Sequence, residues 1–163
     1  MKNLITTLGI ISGIAMILGG ISGLFAYIFL VHPTGDTLAN ISMVNWIISI
    51  IISIAIVIIG ILTVVYTVLL RKTMNIKYGK LISIFGGVLI AYDLYSFISL
   101  MILFPGSISM SQVSVLVSSF LMSPLVWGAI LAVVAGILGI RFYKNQPNSQ
   151  NPITSQIDSK SAG

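Results

Sequence analysis

The sequence predicts an all-α protein, an integral membrane four-helix bundle with both termini cytoplasmic. Three observations predict it. Hydrophobic residues are 57% of the 163-residue chain and charged residues 7%, against about 25% charged in a soluble domain. Four long apolar runs carry one charge between them. All eight Lys and Arg residues fall on one side of a four-span arrangement. With mean hydropathy +1.12, a soluble globular chain is excluded, and so is a wholly disordered one.

The first run, 4–31, is uncharged. A bilayer core of about 30 Å needs about 20 helical residues, and every run exceeds that. Lys2 followed by an apolar stretch resembles a signal peptide, but the stretch is too long and Leu24-Phe25-Ala26 fits a cleavage site poorly. An uncleaved first helix is expected. Gly9 and Gly13, and then Ala15, Gly19 and Gly23, stand four apart. That spacing lets helix backbones approach closely in lipid. His32-Pro-Thr-Gly-Asp36 reads as a turn.

The second run, 41–70, is also uncharged. Asn45, Ser49, Ser53, Gly60, Thr63 and Thr67 recur along one helical face. The stripe fits either packing, with hydroxyls bonded to backbone carbonyls, or a polar path; packing is the preferred reading. Asn40-Ile-Ser42 matches a glycosylation pattern, yet abuts the membrane and reads as a cap. Residues 71–80 form a basic loop.

The third run, 81–104, holds one acid, Asp93, 13 residues in. An ionised carboxylate at that depth costs about 2.5–3.5 kcal/mol, and no Lys or Arg lies in any predicted span. Asp93 is therefore expected to be protonated or hydrogen-bonded in a polar pocket. Ser96, three residues on, shares its face. Two readings stand: a proton relay or cation ligand, and a neutral acid bonded to a neighbouring helix. Ser83, Gly87 and Ala91 form a further small-residue stripe. Pro105-Gly106-Ser107 ends the helix.

The fourth helix is expected over 113–143 with a kink at Pro124. The stretch 107–123 is read as either interfacial or part of that helix. Gly128, Ala132 and Gly136 stand four apart. Residues 144–163 are Asn-, Gln-, Ser- and Pro-rich and read as a disordered cytoplasmic tail.

Orientation follows from the basic residues. Lys2 precedes helix one. Arg71, Lys72, Lys77 and Lys80 lie in the second loop, and Arg141, Lys144 and Lys160 follow helix four. This accounts for the net charge of +5 without nucleic acid as a partner. There is no cysteine and one histidine, His32, so no cofactor or metal centre is expected. The three aspartates fall in different compartments, no nucleophile–base pair is visible, and an enzyme is not expected.

In span number, loop length and glycine-rich helices, carried by Tyr78-Gly-Lys-Leu-Ile-Ser-Ile-Phe-Gly-Gly87 and Gly128-Ala-Ile-Leu-Ala-Val-Val-Ala-Gly-Ile-Leu-Gly-Ile-Arg141, the chain resembles small uncharacterised four-span membrane proteins of bacteria and archaea. The resemblance covers the membrane part and implies no established activity. Two functions are expected. The first is a non-enzymatic role in assembly in the cell membrane, as a homo-oligomer or an accessory subunit, with the lipid bilayer and other membrane subunits as partners. The alternative is a small ion or proton transporter or channel component. It would use Asp93 and Ser96 together with Asn45, Ser49 and Ser53.

Overall fold

The computed structural model describes residues 1–30, 43–103 and 110–145, and every element among them is helical. In chain order they are α1 (Lys2–Phe25) and a π-helical segment (Ala26–Leu30), then α2 (Met43–Thr73), α3 (Ile76–Leu103), α4 (Met110–Met122) and α5 (Pro124–Lys144). Four of the helices are long and apolar enough to cross a membrane: α1, α2, α3 and α5.

α1 lies between α2 and α5, α5 lies between α1 and α3, and the α2–α3 seam is the loosest of the four sides. Three of these sides are built on glycine. A Cβ placed on Gly13 of α1 falls 2.8 Å from the Gly60 carbonyl oxygen of α2. One placed on Gly128 of α5 falls 3.0 Å from the Ser12 carbonyl oxygen of α1. One placed on Gly79 of α3 falls 3.2 Å from the Gly136 carbonyl oxygen of α5. Backbone meets backbone at each crossing, the approach that small residues permit between membrane helices. The α2–α3 seam has no such contact. Tyr66 fills it instead, its ring 5.7 Å from that of Tyr78 and 5.8 Å from that of Phe85.

Small residues line the helix crossings, Met16, Leu70, Ile82 and Tyr143 fill the space between them, and large apolar residues cover the outside. Ala129, Ala132 and Ser12 are fully buried, whereas Ile51, Ile84 and Ile102 are exposed. Soluble monomers seldom expose apolar patches beyond a few hundred Å²; here the apolar exterior runs along every long helix.

The element boundaries differ from the sequence expectation in three places, each for a local reason. The expected basic loop 71–80 is nearly all helix. Only Met74 and Asn75 separate α2 from α3. Met74 adopts φ 54° and its N–H donates to the Leu70 carbonyl, a left-handed helix stop. The Asn75 side chain then accepts from the Lys77 N–H at 2.9 Å and caps α3.

α1 is α-helical from Lys2 to Phe25 and then widens into the π-helical segment. There the Trp46 indole donates to the Tyr27 carbonyl at 2.7 Å.

The expected kink at Pro124 is a break. Proline disfavours helical geometry in the residue before it, and Ser123 is extended at φ −63°, ψ 125°. Proline has no N–H to give the Phe120 carbonyl, and Ser123 N–H supplies one at 3.2 Å. The Leu121 carbonyl, which a continuous helix would pair with Leu125, accepts the Trp127 indole at 2.7 Å. The stretch expected as interfacial or continuous thus contains a helix of its own, α4. The expected polar tail beyond residue 145 and the turns at 32–36 and 105–107 lie outside the described residues.

Candidate functional site

The expected polar stripe of α2 faces α1, and its hydroxyls are already satisfied. Ser53 donates to the Ser49 carbonyl at 2.9 Å, Thr63 to Ile59 at 2.8 Å and Thr67 to Thr63 at 2.8 Å. Ser and Thr bond back to their own helix in this way when buried. The stripe packs on glycine: Thr67 meets Gly9, and a Cβ on Gly23 would lie 2.9 Å from Ser53 Oγ. Asn45 lies in the first turn of α2, and its side chain is outside the described residues.

Asp93 stands on another interface, and register fixes its place. Gly79 meets Gly136 and Ile140, and Gly86, seven residues on, meets Ala129, Ala132 and Val133. Phe97 meets Phe120 with ring centroids 5.0 Å apart. Seven residues up α3 therefore match seven down α5. Asp93, seven beyond Gly86, comes level with residues 122–126, the α4–α5 break. Its Oδ2 is buried with no hydrogen-bond partner among the described residues. The other such atom is Ser83 Oγ, against Gly136.

Ser96 does not join Asp93. It is exposed and shares a side-chain hydrogen bond with Tyr92. At a 60° offset from Asp93, three residues on, it turns outward instead of toward α5. The constellation of Asp93, Ser96, Ser49 and Ser53 is therefore not one site: Ser53 lies toward α1, Ser96 outward, and Asp93 toward the break. Among the described residues no group of three or more His, Asp or Glu converges.

The glycines separate more sharply. Gly9, Gly13 and Gly23 face α2, Gly19 faces Leu125, Gly128 faces α1 and Gly136 faces α3. Ala132 is buried beside Gly86. Gly60 of the α2 stripe and Gly139 beside the α5 stripe also sit against a neighbouring helix, and so do Gly20, Gly79 and Gly86, which the spacing rule did not select as packing positions. Gly87 departs from the expected packing role. A Cβ there meets nothing within 4 Å, and Gly86, one residue earlier, takes the α5 contact. The sequence offered both glycines at adjacent positions, 100° apart on the helix, and only one can face α5. Gly87 and Ala91, one turn on, are both exposed on α3.

No family model, no curated protein and no solved structure matches this chain.

Proposed function

We propose that this chain is a non-enzymatic multi-pass protein of the cell membrane, both termini cytoplasmic, that acts in assembly as a homo-oligomer or as an accessory subunit. The observation that carries the reading is Gly87. A glycine in a helix interior costs about 1 kcal/mol relative to alanine. Eleven described glycines offset that cost by letting another element come close, and Gly87 has no such neighbour. With Ala91 it leaves a shallow strip on the outward face of α3 that a second helix can approach. The closed interior supports the same reading. Backbone contacts fill the α1–α2, α1–α5 and α3–α5 sides, and the α2 hydroxyls are bonded within α2. The test is gentle purification of tagged protein from its native membrane, followed by intact-mass analysis. A homo-oligomer or a stoichiometric foreign subunit is expected. A monomer free of partners removes the proposal.

A second reading is favoured by one observation, the buried Asp93 Oδ2, without a hydrogen-bond partner among the described residues, at the level of a broken helix. Intramembrane acids mark proton or ion pathways, and broken helices line sites in transporters. On this reading the chain is a small proton or ion transporter component. Asp93→Asn abolishes flux in proteoliposomes; flux that survives the change, or wild-type vesicles with no flux, ends it.

A further inference from the structure

The helix contacts also fix which residues share a level at the basic end of the bundle. α1 and α5 run antiparallel, with Ser12 and Met16 at Gly128, which brings Lys2 level with residues 138–142. Gly13 at Gly60 and Val64 brings Lys2 level with residues 71–75 of α2. Gly79 at Gly136 and Ile140 brings Lys77 level with residues 138–142. Lys2, Arg71, Lys77 and Arg141 therefore lie at one height, one from each long helix, with Lys72 next to Arg71. Lys2 is half-buried and the other three are exposed.

The end they surround is closed. Leu70 and Tyr143 are each 1% exposed and Ile5 is 4% exposed. A Cβ on Gly139 would fall 2.8 Å from Leu70 Cδ2. The four cations surround this packed plug. The only acid among the described residues is Asp93, which is sixteen residues beyond Lys77, about 24 Å along α3. The ring thus has no counter-charge within the described chain.

We infer that this ring binds the phosphate groups of anionic lipids, at the plane where the four apolar helices end. The inference rests on the chain lying in a bilayer. There the headgroup phosphates stand at the height of the ring and outside the bundle, on the side to which Arg71, Lys77 and Arg141 are exposed. Each Lys or Arg near an anionic surface contributes enough for about a fivefold preference.

The test is electron paramagnetic resonance of the full chain in phosphatidylcholine vesicles, with spin-labelled phosphatidylglycerol or phosphatidylcholine as the probe. The wild type is expected to hold the anionic label several-fold more strongly, and 1 M NaCl to erase most of that preference. Arg141→Gln and Lys77→Gln, made singly, each remove part of that preference, and the double variant removes more. The control Lys144→Gln, one turn beyond the ring, lowers it less. Equal binding of the two labels overturns the inference, as does a control as damaging as the ring variants. Displacement of the label by 20 mM inorganic phosphate also overturns it, because a free-anion site is then present. Absence of any motionally restricted lipid would show that the chain does not insert, a failure distinct from equal binding.

Discussion

At the scale of single residues, what a glycine touches sets its role. Gly136 lies against the Gly79 carbonyl, where an added Cβ would fall 2.6 Å away, and against Ser83. Gly136→Leu is expected to destabilise the protein by about 1–3 kcal/mol through overpacking, measured by denaturant unfolding in detergent. Gly87→Leu is expected to raise stability by up to about 1 kcal/mol and to weaken association. Equal loss at both positions would contradict the distinction. These roles were only half legible in the sequence. Spacing of four residues picked Gly9, Gly13, Gly128 and Gly136 as packing positions, but it also picked Gly87, because a small-residue stripe does not reveal which way it faces. Asp93 was legible as an oddity, since a lone acid in an apolar run is visible by eye. Its separation from Ser53 was not, because that depends on which helices are neighbours.

At the scale of elements, two junctions carry testable strain and repair. Met74 sits at φ 54°, a conformation that costs a non-glycine residue about 1–2 kcal/mol. Met74→Gly is expected to raise stability by up to about 1 kcal/mol in thermal unfolding, and Met74→Val to lower it. If the two variants behave alike, the α2–α3 stop does not depend on that conformation. At the α4–α5 break, the Trp127 indole supplies the donor that Leu121 lost. Trp127→Phe is expected to cost about 1 kcal/mol or more in the native background. It should cost clearly less beside Pro124→Ala, where the Leu125 N–H can return to the Leu121 carbonyl. A double-mutant cycle reads this coupling, and additive effects would deny it. The four apolar runs were plain in the sequence because length and hydropathy suffice to define them. The break was read as a kink because proline's effect on the preceding residue depends on whether neighbouring groups can satisfy the freed carbonyls. The two-residue α2–α3 connection was read as a longer loop because the charged residues flanking it suggested water rather than helix.

At the scale of the whole molecule, glycine crossings hold α1, α2, α5 and α3 together, an aromatic stack closes the remaining seam, and a small-residue strip stays outward on α3. We propose that this strip is where the protein meets its partner. The chain has no cysteine, so one introduced thiol reports without background. The most direct measurement is crosslinking in native membranes with a short bismaleimide, comparing Gly87→Cys on α3 with Ile58→Cys on the exposed face of α2. A discrete higher-mass product from Gly87→Cys, absent from Ile58→Cys, is the expected result. No product from Gly87→Cys, or the same products from both, would contradict the claim.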